Sequence, residues 1–163
     1  EEICKNTPGQ VSVANYSCPG QIVITGEEEA VSLASEKLTE AGAKRLVPLK
    51  VSGPFHSPML REAARKLGQQ LASVEVYDIG VPYLSNVTAD YVKDKSQIKE
   101  LLEKQVASPV KWQQSVERMI NDGVDTFVEI GPGKTLSGFM RKISRNVRVL
   151  NIEKIEDLEK LSC

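Results

Sequence analysis

His56 is the residue of this sequence best suited to transfer a proton, and it is the only histidine among the 163 residues. It lies in VSGPFHSPML at 51–60, between a strand-like run and a helical pattern. Histidine is the most frequent general base in enzymes, because its ring nitrogens exchange protons near neutral pH. Pro54 and Pro58 restrict the backbone on both sides of it, which suits an imidazole that must be held in place. A rigid turn without chemistry is the alternative interpretation.

A second stretch, GPGKT at 131–135, has the composition of a phosphate-binding loop. It follows a strand-like run and opens a helical pattern, but the motif GxxxxGK[ST] requires glycine at the position of Val128. We therefore interpret it as a tight turn between strand and helix, whose helix N-terminus would still favour a nearby anion. A nucleotide-binding α/β protein is the alternative hypothesis for this stretch.

Charge and cysteine content limit the other kinds of site. Lys and Arg number 21 against 22 Asp and Glu, so the charge of -1 predicts neither nucleic-acid nor anionic-membrane binding. Cys4, Cys18 and Cys163 form no CxxC pair, which argues against a metal site or a disulfide framework and favours a reducing, cytoplasmic location. Apolar runs such as QIVIT at 21–25 have only strand length. We predict no cofactor and no membrane partner.

The elements that position His56 are predicted from the periodicity of the apolar residues. In chain order the first part reads as a helix end, two strands, a helix and a third strand, over residues 1–6, 10–16, 21–26, 27–41 and 44–51. A turn at Cys18-Pro19-Gly20 joins the first two strands into an antiparallel hairpin, and Gly42 ends the helix. This order predicts a ferredoxin-like βαββαβ unit over 1–51 that lacks its first strand and leaves two neighbouring strands unpaired.

The second part of the chain alternates helices and strands. The patterns predict helices at 59–72, 96–106, 111–122 and 134–143, strands at 81–87, 125–131 and 148–152, and a final acidic helix. The near-continuous apolar run at 125–131 is typical of a strand buried on both faces of a parallel sheet. The predicted fold class is therefore α/β.

Three longer stretches carry a resemblance to a known family: VSGPFHSPML at 51–60, ANYSCPGQIVITG at 14–26 and VEIGPGKTLSGFMRKI at 128–143. Together with LLEKQVASPVKW at 101–112 and VLNIE at 149–153, they resemble malonyl-CoA:acyl-carrier-protein transacylases in order and approximate spacing. The resemblance implies the C-terminal portion of such an enzyme, without its nucleophile segment. The chain also opens without Met, as expected for a piece of a longer protein. Residues 1–51 would be an incomplete ferredoxin-like small subdomain, and 52–163 the C-terminal part of an α/β-hydrolase-like acyltransferase core.

The resemblance also implies a mechanism and site residues. In this family a serine takes malonyl from coenzyme A and passes it to the phosphopantetheine thiol of acyl carrier protein, with a histidine as base. His56 matches that base, and the backbone carbonyl that orients the imidazole belongs to the position of Gln105, whose side chain would face the acyl pocket. Phe55 matches a position associated with malonyl specificity, or packs as a core aromatic. Asn15 would contact the acyl or pantetheine end, or serve only as a polar residue of the hairpin.

The family's nucleophile does not carry over to any residue here. In the family the serine lies in a GHSxGE turn, but no GxSxG motif occurs in this sequence. The nearest partial match is Ser137 in TLSGF, which lacks the first glycine. The serine, the arginine that pairs with malonate and a glutamine of the oxyanion hole are therefore expected in a missing N-terminal segment of the same protein, and this fragment alone is expected to be inactive.

The expected partners are malonyl-CoA, acyl carrier protein and that missing segment. A basic cluster could steer the acidic carrier protein, or simply complement a helix C-terminus; it comprises Lys134, Arg141, Lys142, Arg145 and Arg148. The alternative function is a noncatalytic module, derived from an acyltransferase, that binds a carrier protein or a partner subunit.

Overall fold

The computed structural model describes residues 1–162 and has the α/β organisation predicted from the sequence. Its α-helices are α1 (Glu2–Lys5), α2 (Glu28–Glu40), α3 (Arg61–Ala72), α4 (Ile98–Val106), α5 (Trp112–Asn121) and α6 (Thr135–Ile143). Its strands are β1 (Val11–Cys18), β2 (Gln21–Gly26), β3 (Leu84–Ser85), β4 (Asp90–Tyr91), β5 (Thr126–Ile130) and β6 (Arg148–Ile152). Short 3-10 helices cover Pro58–Leu60, Lys95–Gln97 and Ile155–Ser162. None of the helices within residues 1–162 is both long and apolar enough to cross a bilayer.

β1 and β2 form the predicted antiparallel hairpin. The β-branched run of β2 favours an extended backbone, and Pro19-Gly20 makes the turn, with Gly20 at a φ of 76°. The register shifts between Val13 and Asn15 and again between Tyr16 and Cys18. These irregularities allow β1 to bury its side chains in consecutive pairs rather than in strict alternation.

Helix α2 packs on the hairpin through small side chains, since Ala30 and Ala34 are 3% and 0% exposed. It ends as the sequence predicts, because Gly42 takes a left-handed φ of 96°. The Gly42 amide donates to the Thr39 carbonyl at 3.0 Å and the Ala43 amide to the Leu38 carbonyl at 2.9 Å. The last carbonyls of the helix are thus satisfied within the local sequence.

The strand predicted at 44–51 is wrong, because the segment has no regular structure and makes no strand pairing within residues 1–162. Its apolar side chains are exposed, with Val47 at 56%, Leu49 at 57% and Val51 at 62%. A strand is stable only when a neighbouring strand supplies its backbone hydrogen bonds. The described residues offer no such neighbour, so β propensity alone does not form this strand.

The strand predicted at 81–87 is also wrong over most of its length. Only Leu84–Ser85 pair, and they pair with Asp90–Tyr91 in a short antiparallel bridge. Ser85 turns the chain immediately, because its carbonyl accepts the Ala89 amide at 2.8 Å and its hydroxyl accepts the Val87 amide at 3.2 Å. Polar local bonding therefore competes successfully with extension of the strand.

β5 and β6 form a parallel pair, with α6 as the connection between them. The parallel arrangement is as predicted, but the burial of β5 on both faces is not. Val128 is 39% and Ile130 80% exposed, while Phe127 and Glu129 are half-buried. One face of β5 is therefore covered by the rest of the chain, and the other is open to solvent. Its sequence is apolar enough for both faces to be buried. The final acidic segment is a 3-10 helix rather than an α-helix.

The two parts of the chain meet at β1. Helices α5 and α6 pack against this strand and against each other. Val116 of α5 is 0% exposed, Met140 of α6 2% and Cys18 of β1 1%. The hairpin therefore has a fixed position relative to the α5 region and to the segment that leads into it.

Candidate active site

The loop that carries His56 is a tight local structure at the entrance of α3. Pro58 is the first residue of the 3-10 helix Pro58–Leu60, where a missing amide hydrogen costs no hydrogen bond. His56 itself has a φ of 58°, in the left-handed region that side chains other than glycine rarely occupy. Backbone outliers of this kind are concentrated at active sites, where the surrounding structure holds them.

The imidazole of His56 contacts a backbone carbonyl. Its Nδ1 atom lies 3.1 Å from the carbonyl oxygen of Gln105, and the His56 side chain is half-buried. A carbonyl oxygen only accepts hydrogen bonds, so the contact requires the proton to be on Nδ1. In the neutral ring the other nitrogen, Nε2, then carries the lone pair that a general base needs.

Gln105 can provide this carbonyl because it lies in the last turn of α4. The last four carbonyls of a helix have no partner four residues further along, so they are free to accept other donors. Among the described residues, the Gln105 carbonyl accepts one long bond of 3.5 Å from the Ser108 amide besides the imidazole contact. Its side-chain amide donates to the Ser108 carbonyl at 3.4 Å. α4 packs against α3, which follows the His56 loop, so both partners belong to one helical pair.

Asn15 is connected to this pair through the segment that follows α4. The Val110 amide donates to the Ala14 carbonyl at 2.8 Å, and the Tyr16 amide donates to the Val110 carbonyl at 2.9 Å. Asn15 and Val110 therefore form a parallel bridge that adds a short third strand to the hairpin. Within residues 1–162 the Asn15 side chain makes no hydrogen bond. Asn15 is thus connected through the backbone to the segment that follows α4, and the Gln105 carbonyl at the end of α4 contacts the His56 imidazole.

Phe55 is next to His56 and is 53% exposed. The interpretation of Phe55 as a core aromatic is therefore wrong for the described chain. Its ring lies over the backbone of Gly53, where an added Cβ would be 3.8 Å from the ring. The position leaves most of the ring surface available for contact with another molecule or segment.

Ser137 and the GPGKT turn take part in a different arrangement. Ser137 is buried, and its hydroxyl donates to the Glu129 carboxylate at 2.5 Å. The same carboxylate accepts the amides of Leu136 at 3.0 Å and Ser137 at 2.9 Å, in the first turn of α6. The anion at this helix N-terminus is thus the protein's own Glu129, and the amides that a phosphate would use are already engaged.

These contacts determine the ionisation of Glu129. Burial alone would raise the pKa of its carboxyl, but the hydrogen bonds from Ser137, Leu136 and Asn151 outweigh burial and hold the pKa below its ordinary value of 4.5. Asn151 of β6 donates to Glu129 at 3.5 Å and to the Gly133 carbonyl at 2.8 Å. Glu129 therefore ties β5, β6 and α6 together.

Glu129→Gln is expected to lower the free energy of unfolding by about 1 to 2 kcal/mol at neutral pH, because a neutral amide accepts these hydrogen bonds less strongly. A carboxyl with a lowered pKa in the folded state stabilises the protein above its ordinary pKa, and this contribution is lost as the pH falls through the folded-state value. The difference between parent and variant should therefore shrink below pH 4.5. Urea unfolding over a pH series measures it. Glu156→Gln, at an exposed position, is the control; a difference that is the same at every pH would contradict the prediction.

The five residues of the basic cluster are spread from the residue before α6, Lys134, to the first residue of β6, Arg148. Arg141 and Lys142 are in the last turn of α6, Lys142 donates to the Gln21 side chain at 3.1 Å, and Lys134 is 4.0 Å from Glu153. Arg148 donates to the Lys160 carbonyl at 3.2 Å. Some of these cations thus have local partners, while Arg141 and Arg145 are exposed.

Two residues of the site region do not stand out in the sequence interpretation above. The role of Ser57, directly after His56, could have been predicted from the Ser-Pro sequence, since serine before a proline is a typical start of a helical turn. No sequence pattern predicts the role of Glu129, because its contacts come from residues of β6 and α6 that the sequence alone does not place near it.

Comparison with known proteins identifies the family of this chain. The family model described as "Acyl transferase domain" matches residues 1–158. The malonyl CoA-acyl carrier protein transacylase of Bacillus subtilis (strain 168) is 48% identical over 149 residues, which are 91% of this chain and 47% of that protein. The crystal structure of MCAT from Streptococcus pneumoniae superposes with a TM-score of 0.94 at 45% identity, over 99% of this chain and 53% of that one.

A third comparison is a solved complex, described as a type II PKS acyl-carrier protein with its malonyl-transacylase. It has a TM-score of 0.93 at 34% identity, over 98% of this chain and 52% of that one. The chain spans about half the length of the curated relatives it matches. These matches confirm the resemblance inferred from the motifs. The chain belongs to the acyl transferase domain family.

Proposed function

We propose that this chain is part of an enzyme that moves a malonyl group from coenzyme A to the phosphopantetheine thiol of acyl carrier protein, with His56 as the general base. The observation that carries the proposal is the 3.1 Å contact between His56 Nδ1 and the Gln105 carbonyl. In the neutral imidazole this contact favours the tautomer with the proton on Nδ1, which leaves the lone pair on Nε2, the nitrogen that faces away from the carbonyl.

The chemistry needs a nucleophile from the rest of the polypeptide. A serine upstream of this chain would attack the thioester carbonyl while Nε2 of His56 takes the hydroxyl proton. The C–S bond then breaks, the coenzyme A thiolate leaves and receives a proton, and malonyl remains on the serine as an ester. In the second half of the cycle Nε2 takes the proton of the pantetheine thiol, whose sulfur attacks the ester carbonyl. The C–O bond to the serine then breaks, and Nε2 returns the proton to the serine oxygen. Gln105 keeps the imidazole in one orientation through both halves.

We also propose the two subdomains that the resemblance implies. Residues 1–51 would belong to a ferredoxin-like small subdomain, supported by the hairpin and α2. Residues 52–163 would belong to the larger acyltransferase core, supported by the parallel pair β5 and β6 with α6 between them. The exposed apolar side chains at 44–51 and on the open face of β5 are consistent with further chain packing there.

Acyl carrier protein is the proposed acceptor, in the cytoplasm. The related complex of a malonyl-transacylase with its carrier protein supports this choice. The exposed cations Arg141 and Arg145 would attract an acidic carrier over the distance at which charges act at physiological salt. A noncatalytic binding module is less well supported, because binding alone does not explain why His56 has a left-handed backbone or why its imidazole contacts the Gln105 carbonyl.

The test is a transfer assay with a longer polypeptide that contains this chain and the upstream part of the domain. It is mixed with malonyl-CoA and with carrier protein that bears phosphopantetheine, and malonyl-carrier product is measured by mass spectrometry. Carrier protein without the phosphopantetheine arm is the control. Product only with the arm supports the proposal. Absence of product, with carrier binding intact, would favour the binding-module alternative.

Phe55→Ser is expected to change acyl selectivity in the same polypeptide. Removing the exposed ring beside His56 leaves room for an α-methyl group, and a single methyl group is worth about 10-fold or more in discrimination. The ratio of kcat/KM for methylmalonyl-CoA over malonyl-CoA should rise by at least that factor. Tyr77→Ser, which removes a 72% exposed ring elsewhere, is the matched control. An unchanged ratio would remove Phe55 from the acyl pocket.

A further inference from the structure

Ser57 is among the most completely buried side chains of the protein, at 1% exposure, although its neighbours Phe55 and Pro58 are exposed. Its hydroxyl donates to the Pro54 carbonyl at 2.8 Å and accepts the Met59 amide at 3.2 Å. These partners lie on opposite sides of His56 in the chain. A single hydroxyl therefore closes the loop around the histidine.

The backbone of the loop depends on this closure. His56 is in the left-handed region, at a φ of 58°, which has a free-energy cost for any residue with a side chain beyond glycine. The Ser57 carbonyl accepts the Leu60 amide at 3.0 Å, so Ser57 also begins the 3-10 turn that leads into α3. The turn anchors the loop on its C-terminal side, and the bond to Pro54 anchors it on the other.

We propose that Ser57 is a positioning residue for the transfer reaction: its hydroxyl holds His56 in the left-handed conformation and thereby keeps Nδ1 on the Gln105 carbonyl. The expected effect of Ser57 on the rate of transfer rests on the proposed function. Its expected effect on the orientation of the His56 imidazole does not. The Ser57 side chain is 1% exposed, and its hydroxyl is already engaged by the Pro54 carbonyl and the Met59 amide, so its effect on the reaction is exerted through His56. Alanine at this position would keep the packing but lose both hydrogen bonds.

The first arm of the test observes the imidazole in the 163-residue chain. Because His56 is the only histidine, its ring nitrogens give one unambiguous set of signals in a long-range 1H–15N spectrum. The parent should show the Nδ1–H tautomer. Ser57→Ala should shift the ring toward the Nε2–H tautomer, while Ser57→Thr, which keeps the hydroxyl, and Ser52→Ala, at an exposed position of the same loop, should match the parent. Spectra are recorded below the thermal unfolding midpoint of each variant. An unchanged tautomer in Ser57→Ala would overturn the proposal.

The second arm measures transfer by the longer polypeptide. Ser57→Ala is expected to lower kcat by about 10- to 100-fold, because a small misplacement of the base is amplified in the rate. The KM for malonyl-CoA should stay within about twofold, since Ser57 makes no substrate contact, and Ser57→Thr should restore most of kcat. Equal losses in the alanine and threonine variants, or a change in KM alone, would overturn the positioning role. If the parent polypeptide transfers no malonyl, the proposed function is wrong. The tautomer seen in the 1H–15N spectra then still tests whether Ser57 holds the His56 imidazole in place.

Discussion

Replacing His56 by alanine in the longer polypeptide is expected to lower kcat/KM for malonyl transfer by about 10²- to 10⁴-fold, the usual contribution of a general base. The physical reason is that Nε2 is the proton acceptor for both the serine hydroxyl and the pantetheine thiol. His56 is the only histidine of the chain, so no other imidazole of these residues can replace it. Initial rates of malonyl-carrier formation measure the effect.

The matched variant for this prediction is His56→Asn. Asparagine tolerates a left-handed backbone better than alanine, so it removes the imidazole while preserving the loop at its φ of 58°. Both variants should lose transfer to the same extent and should retain the parent's thermal unfolding midpoint to within a few degrees. Transfer within about tenfold of the parent in His56→Asn would exclude His56 as the base.

Gly26→Ala is expected to have the largest effect on stability, a loss of about 2 to 3 kcal/mol in the free energy of unfolding. Gly26 ends β2 opposite Val11, and an added Cβ would lie 2.0 Å from the Gln10 carbonyl oxygen and 2.7 Å from the Val11 Cα atom. Both obstacles are backbone atoms, so the hairpin itself must move. Urea unfolding followed by circular dichroism measures the loss.

Gly80→Ala is the control for this substitution. An added Cβ at Gly80 meets nothing within 4 Å, so alanine there should change the free energy of unfolding by no more than about 0.5 kcal/mol. Equal stabilities of the two alanine variants would show that the hairpin end is not as tightly packed as the structure indicates. A displaced hairpin would also disturb the bridge from Asn15 to Val110, so Gly26→Ala should reduce transfer in the longer polypeptide.

The parts of the fold that the sequence predicts are those with local causes. The hairpin follows from its β-branched run and the Pro19-Gly20 turn, and the end of α2 follows from the left-handed backbone of Gly42. The predicted strand at 148–152 and the helix that precedes it are also present. In each case the residues that determine the element lie within it or next to it.

The failures have nonlocal causes. Residues 44–51 have strand composition but no neighbour to pair with among residues 1–162, and the apolar sequence of β5 cannot indicate that only one of its faces is covered. At the site, the resemblance implies the roles proposed for His56 and Gln105. The left-handed backbone of His56 and the hydrogen bonds of Ser57 depend on contacts that no single motif encodes. The contacts of Glu129 could not be predicted from the sequence for the same reason, since its hydrogen-bond donors belong to two other elements, α6 and β6.

The most direct test of His56 as the base is a rapid-quench measurement of the first chemical step. The longer polypeptide is mixed with malonyl-CoA without carrier protein, and the fraction that carries one malonyl group is followed by intact mass spectrometry. The parent is predicted to acquire the group in a fast burst, while His56→Asn is predicted to form it at least about 100-fold more slowly. A burst of the same rate in His56→Asn, or no malonyl adduct in the parent, would contradict the proposed role of this chain.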